Sequence, residues 1–248
     1  MRRTIQCTGA AHLPIQGEVG ITHNKAAFFD LDGTLTKAHV WHGMLEYFRV
    51  NKQRQWTHRV YMVYHMPLYI LRKLGIISEG TYRKPWPAHL GWYVRGYTLA
   101  EADQVWNWVI DNYMDQHWRA DTCQILEQHR KNEEITVLVS GTPVPLLKRI
   151  AEKIGAEHAV GTSLEVQNGR YTGRSIGPAC IDDNKVSLTN QYMDQNGIHI
   201  DYPASFAYAD SISDQSILEI VGHPVATYPD EDLLELAHER GWQIFPPE

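Results

Sequence analysis

AAFFDLDGTLT, residues 26–36, is the stretch from which the fold can be read. Four apolar residues, Ala26 to Phe29, run straight into Asp30-Leu31-Asp32-Gly33-Thr34. A run that is apolar at every position, rather than at alternate ones, predicts a parallel strand covered on both faces. Delivering two carboxylates to the end of such a strand is costly. Desolvated carboxylates repel one another and need a cation or a shared proton. A catalytic site accounts for that cost.

Other segments repeat the pattern. Residues 134–140 (EITVLVS) form a second apolar run that ends on Ser140-Gly141-Thr142, with a helix expected from Pro143. Residues 206–210 (FAYAD) form a third, closing on Asp210 and followed by Ser211-Ile212-Ser213-Asp214. A short fourth strand is expected over 223–228, then a helix capped by Asp230 and ended by Gly241. Asn168-Gly169 inside TSLEVQNGRYTG, residues 162–173, predicts a hairpin. Lys185 stands at the start of a helix expected after the Gly177-Pro178 turn. Strands alternating with helices predict an α/β fold with a parallel sheet. Ligands in such sheets gather outside the carboxyl ends of the strands. Asp30, Ser140 and Asp210 are therefore expected to converge.

Composition sets the limits. The chain has 248 residues, 43% hydrophobic and 21% charged, with a net charge of −6. These values fit a soluble globular protein and argue against a nucleic-acid surface. Three scattered cysteines without CxxC spacing are compatible with a reducing cytoplasm. Residues 1–24 begin basic but lack an apolar core, so they are expected to be an irregular N-terminal extension and not a signal peptide. No run approaches the ~20 apolar residues of a membrane span. The nearest, residues 60–71, contains His65 and is interrupted by Pro67, with Arg59, Arg72 and Lys73 at its flanks. It is expected to be a buried or interfacial helix, which leaves peripheral contact with a membrane open.

Residues 38–131 differ from the rest. Thr98 and Glu101 form a capping box, and Ala102, Trp106, Val109, Ile110 and Tyr113 follow at helical spacing. Seven of the eight tryptophans lie between Trp41 and Trp118. From Lys37 to Arg130 there are 12 Lys plus Arg against 8 Asp plus Glu, or +4, leaving −10 for the remainder. A positive lid over an acidic core favours anionic substrates.

The converging residues suit one chemistry. A carboxylate such as Asp30 can attack phosphorus covalently. Asp32 can protonate a leaving alcohol and then deprotonate water. Asp210 and Asp214 add hard oxygen ligands, which suit magnesium. Ser140 and the neighbouring N–H groups can bind phosphate oxygens, and Lys185 can complete a positive clamp.

DLDGT (30–34), VLVSGT (137–142), Lys185 and ADSISD (209–214) resemble motifs one to four of the haloacid dehalogenase-like hydrolase superfamily. TSLEVQNGRYTG, the Gly177-Pro178-Ala179-Cys180 run and GHPVATYPDEDLLELAHERGW are similar to subfamily IB, the phosphoserine phosphatase-like hydrolases. The resemblance spans residues 25 to 245 or so. It implies a Rossmann-like, three-layer core from 25–37 and 132–248, with a C1-type helical cap over 38–131. It implies Asp30 as nucleophile and Asp32 as general acid and base. Mg2+ would be held by Asp30, the backbone carbonyl of Asp32 and Asp210, with Asp214 in support. Thr34, Ser140, Gly141 and Lys185 would hold the phosphate.

The expected activity is hydrolysis of a small anionic or amphiphilic phosphomonoester through an aspartyl-phosphate. The alternatives are a phosphotransferase using the same intermediate, or a non-catalytic protein that binds a phospholigand or a membrane surface. Phosphoserine is disfavoured as substrate. Lys37-Ala38-His39-Val40-Trp41-His42 stand where phosphoserine phosphatases place an acid, Glu46 is the first acid after them, and Thr142 replaces a glycine. His39 and His42 are expected to face substrate or to be packed rather than to bind a metal.

Overall fold

The computed structural model describes residues 24–78, 81 and 85–247. The extension expected over 1–24 lies outside them except for Asn24, which pairs with Ile200. The strands are β1 (Ala26–Phe29), β2 (Ile135–Pro143), β3 (His158–Thr162), β4 (Leu164–Gln167), β5 (Arg170–Ser175), β6 (Phe206–Ala209), β7 (His223–Thr227) and β8 (Gln243–Phe245). Six of them form a parallel sheet in the order β3-β2-β1-β6-β7-β8, and β4 and β5 form a separate hairpin. The hairpin turns on Asn168 and Gly169, whose φ angles of 50° and 72° are the left-handed conformation a two-residue turn requires.

β1 lies at the centre. Ala26 and Phe28 pack into one apolar cluster with Val137, Val139 and Ala207, whereas Ala27 and Phe29 pack into another with Leu138 and Tyr208. Burying each phenylalanine contributes about 1.5–3 kcal/mol. This alternation explains why the strand is apolar throughout: both faces are covered.

The segment between β1 and β2 is helical where described: α1 (Val40–Val50), α2 (Gln55–Lys73), α3 (Pro85–His89), α4 (Leu99–Trp108) and α5 (Ala120–Lys131). Thr98 caps α4 through the expected reciprocal bonds with Glu101. Helix α2 runs through Pro67, which the sequence reading took as an interruption. A proline within a helix removes its own N–H bond to the residue four earlier, here Val63. Pro67 lies on an exposed face, and the helix tolerates that loss.

α5 sits against the sheet, where His129 contacts the Phe29 ring edge-on at 6.0 Å. The His129 imidazole bridges the Glu134 carboxylate and the Tyr208 hydroxyl, the latter at 2.7 Å. The β4–β5 hairpin is tied to the helical segment: Tyr171 N–H donates to Tyr97 C=O at 2.9 Å, and Gly96 N–H to Tyr171 C=O at 2.7 Å. After β2 come α6 (Val144–Ile154), α7 (Asn184–Gln195), α8 (Gln215–Glu219) and α9 (Glu231–Arg240). Asp230 caps α9 through Leu233 N–H, and Gly241 ends it at φ 66°.

One buried side chain anchors the start of β1. Ala26 N–H donates to Ser205 Oγ at 2.9 Å, and that hydroxyl donates to Asp201 C=O at 2.6 Å. Ser205 is fully buried, so no water can replace it. Ser205→Ala is expected to lower unfolding stability by about 1–3 kcal/mol. Urea titration of both proteins checks this, and an unchanged midpoint would contradict it.

Candidate active site

The order of the sheet reverses between β1 and β6, which puts Asp30 and Asp210 at the carboxyl ends of adjacent strands. Asp30 N–H donates to Tyr208 C=O at 2.9 Å, extending the pairing by one residue. The chain then turns sharply at Gly33, with φ +92°. A Cβ on Gly33 would stand 1.9 Å from Asp210 Oδ2, so this position requires glycine for both conformation and space. Two residues from the helical segment hold the turn from outside. Arg119 Nε donates to Gly33 C=O at 2.9 Å, and Thr122 Oγ1 to Thr34 C=O at 2.9 Å.

Asp30, Asp210 and Asp214 each offer a carboxylate oxygen within 4.8 Å of the other two. Lys185, at the start of α7, reaches this group and is 3% exposed. Its Nζ donates to Asp30 Oδ1 at 2.6 Å and lies 2.7 Å from Asp214 Oδ1. Burial raises the Asp30 carboxyl above its ordinary value, Lys185 opposes that rise, and Asp214 adds to it. Burial raises Asp210 as well, reinforced by Asp30 and Asp214. Burial works against the charge on Lys185, but Asp214 and Asp30 outweigh it and hold the ammonium above its usual range.

Three clustered carboxylates against one ammonium leave a deficit of positive charge. Hard oxygen donors beside an open cavity fit Mg2+, which keeps several of its waters. Among the described residues this is the one grouping of His, Cys, Asp and Glu with such geometry, and neither His39 nor His42 belongs to it.

The other expected site residues are placed differently. The Asp32 side chain lies outside the carboxylate group. Its Oδ1 accepts the Val40 N–H at 2.9 Å, at the start of α1, and its Oδ2 is 3.7 Å from His39 Nδ1. The Asp32 carboxylate raises the His39 imidazole above its ordinary value, against the effect of burial. Ser140 is buried, accepts Thr142 N–H and donates to Thr142 Oγ1, both at 3.2 Å. Gly141 permits close approach of the helical segment and of Ile181, since a Cβ there would stand 3.2 Å from both Pro87 and Ile181. Thr34 was expected to touch phosphate, but it sits beneath the cavity rather than in its wall. It is fully buried, with its hydroxyl 3.5 Å from Asp210 Oδ1, because the turn at Gly33 directs it towards the core.

Asp30, Asp32, Ser140, Gly141, Lys185, Asp210 and Asp214 line a cavity of about 420 Å³. Its opposite wall comes from the helical segment: His39, Trp41, Tyr61, Trp86, Pro87 and Leu90. Trp86 meets Trp41 and Tyr61 edge-to-face, with centroids 5.4 and 5.5 Å apart. Asp230, read from sequence only as a helix cap, also lines the cavity and accepts the Ile212 N–H at 3.2 Å. Sequence reasoning missed Arg119 and Thr122 altogether, since neither belongs to a local pattern.

Residues 27–219 match the family described as haloacid dehalogenase-like hydrolase. A histidinol-phosphatase of Neisseria meningitidis is 26% identical over 229 residues, which cover 88% of this chain and 96% of that protein. A phosphoserine phosphatase of Mycobacterium tuberculosis is 30% identical over 153 residues, 61% of this chain. That match spans only 49% of the mycobacterial protein, about half its length. Among solved structures, a Bordetella pertussis protein of unknown function superposes with a TM-score of 0.75 at 23% identity, covering 90% of this chain and 98% of that one. A substrate-bound phosphoserine phosphatase superposes with a TM-score of 0.56 at 15% identity, covering 86% and 90%. These structural likenesses carry the fold. The family match covers well over half of the chain and includes the turn after β1 and the acids after β6, so the chain belongs to the haloacid dehalogenase-like hydrolases.

Proposed function

We propose that this protein is a magnesium-dependent phosphatase that cleaves a small phosphomonoester through an aspartyl-phosphate on Asp30. The observation that carries the reading is the grouping of Asp30, Asp210 and Asp214 around the Lys185 ammonium, at the mouth of the sheet's reversal point. Two relatives named as phosphatases support it.

In this reading, Lys185 holds Asp30 Oδ1, and the other oxygen, Oδ2, attacks phosphorus. The Oδ2–P bond forms as the bond to the ester oxygen breaks. Asp32, protonated at this stage, gives its proton to the leaving alcohol. Asp32 then takes a proton from water, whose oxygen attacks phosphorus and releases Asp30 and inorganic phosphate. Ser140 and the N–H groups after it hold the phosphate oxygens, and Lys185 supplies positive charge beside them. Asp30, Asp210 and the Asp32 carbonyl would hold Mg2+, with Asp214 in support. That ion would supply charge neutralisation at the transferring phosphoryl group.

We assign residues 38–131 to a cap that closes over the core and chooses the substrate. Trp41, Tyr61, Trp86 and Leu90 offer the organic part of the ester an apolar, aromatic wall. His39, rather than an acid, stands next to Asp32 on the cap side, which disfavours phosphoserine.

Asp30→Asn is expected to lower magnesium-supported hydrolysis of p-nitrophenyl phosphate by ~10³-fold or more. Equal rates for the two proteins would remove Asp30 as nucleophile. Asp32→Asn should slow turnover ~10²–10⁴-fold while leaving the inhibition constant of inorganic phosphate within a few-fold. Lost phosphate binding with preserved turnover would reverse that assignment.

The raised Asp30 and Asp210 carboxyls also predict a pH dependence. The folded state retains protons that the unfolded state releases above the ordinary aspartate value of 3.8. Stability contributed by those protons is lost as pH rises through the folded-state values. Metal-free protein should therefore melt lower at pH 8 than at pH 5, and Mg2+ should raise the melting temperature more at pH 8. Asp210→Asn should flatten both trends. A magnesium effect that is the same at both pH values would contradict this.

A further inference from the structure

We infer that the outer face of α2 docks on an anionic membrane surface. Residues 47–78 contain six Lys and Arg and no Asp or Glu, in a chain of net charge −6. Within them α2 carries two apolar stripes. The inner one, through Tyr61 and His65, is buried against the Trp86 and Tyr93 side of the helical segment, with the Tyr61 ring 5.5 and 5.3 Å from theirs. The outer one runs through Trp56, Val60, Val63, Pro67, Ile70 and Leu74. Its spacing of four, three, four, three and four residues keeps these positions on one line of an α-helix. This line faces solvent: Trp56 is 72% exposed, Val63 73%, Ile70 51% and Leu74 67%.

Single exposed apolar residues are ordinary, whereas a continuous line of them along a five-turn helix marks a contact surface. Folding of the segment does not require it, because the inner stripe already supplies the packing. An apolar line with an interfacial tryptophan at one end and basic residues beside it is the pattern of a helix lying in a bilayer interface. Arg59 and Lys73 flank the stripe on one side, where long basic side chains can reach lipid phosphates while their stems lie on the apolar surface.

The alternative occupant, a second copy of the chain, fits less well. Two copies of this stripe packed face to face and antiparallel, the pairing that meets along the whole stripe with opposed helix dipoles, are related by a two-fold axis perpendicular to α2 at the stripe's midpoint. Arg59 of one copy then faces Lys73 of the other, a repulsion that acidic headgroups convert to attraction. The same helix supplies Tyr61 to the cavity wall from its inner side, so docking brings the candidate site beside the lipid surface. The inference stands on α2 alone and not on the chemistry assigned to Asp30.

Flotation of the full-length protein with phosphatidylglycerol and phosphatidylcholine vesicles tests it. Binding is expected to phosphatidylglycerol, at least tenfold weaker to phosphatidylcholine, and weaker as salt is raised. Val63→Glu with Ile70→Glu should weaken binding at least tenfold, with an unchanged circular dichroism spectrum and unchanged p-nitrophenyl phosphate hydrolysis in the absence of vesicles. Arg59→Gln with Lys73→Gln should reduce both the affinity and its salt dependence. Absence of binding to phosphatidylglycerol at low salt would overturn the inference, as would equal binding by the Glu variants. A dimer in sedimentation velocity that those variants dissolve would also overturn it, assigning the stripe to self-association.

Discussion

The ammonium of Lys185 lies between the carboxylates of Asp30 and Asp214, at 2.6 and 2.7 Å and almost out of solvent. Three segments meet there: the end of β1, the start of α7 and the turn after β6. None of these charges would be stable alone at that depth, since an isolated buried ion costs several kcal/mol. A pair of unit charges 4 Å apart recovers about 4 kcal/mol at the effective dielectric of a protein. The two terms are of similar size, so the arrangement is a poor source of stability. Its value is positional, because each charge can remain only where the others are. With Asp210 in the same group, acid outnumbers base, an imbalance that the proposed Mg2+ would offset.

A second coupling ties the helical segment to that centre. The first N–H of α1, at Val40, has no capping partner in its own helix, and the Asp32 carboxylate eight residues upstream accepts it. The positive end of the helix dipole thus faces Asp32. Arg119 and Thr122 clamp the backbone at Gly33 and Thr34 from the far end of the same segment. The turn that orients both acids is therefore gripped at the entry to the segment and at its exit. Asp32, the group whose proton the proposed reaction moves twice, thus sits at the joint between these helices and the sheet.

How much of this was legible in the sequence depended on whether the determinant was local. β1, β2 and β6 were readable because strands covered on both faces leave no polar alternation, and their polar ends stood out against it. Asn168-Gly169 and the Thr98–Glu101 box were readable because a turn or a cap is fixed within four residues. β3 and β8 were not read as strands. They are the two edges of the sheet, and β8 is only three residues long. Lys185 was legible only from its place at the start of the helix expected after the Gly177-Pro178 turn and from the family resemblance, since nothing near it announces burial. Trp41, Tyr61 and Trp86 could not be told from the other aromatic residues around them, because facing a cavity rather than a core is a tertiary property. Thr34 illustrates the same limit: the resemblance implied a phosphate contact, whereas the side chain is fully buried beside Asp210.

Helix α2 presents two apolar faces of different character. If the segment had only to fold, one apolar stripe would suffice, and the opposite face would carry charges of both signs. The outer face instead keeps an apolar residue at each turn, and every Lys, Arg, Asp or Glu of the helix is basic, although acidic residues outnumber basic ones in the whole chain. Pro67 fits this division. It lies on the outer line and leaves the Val63 carbonyl without its helical donor, a loss an interior face could not absorb. On an outer face, water or a headgroup can satisfy that carbonyl. The inner face, carrying Tyr61 and His65, contains no such break. The two faces of one helix thus follow different rules, the inner one set by packing around the cavity and the outer one by contact with something polar, acidic and partly apolar.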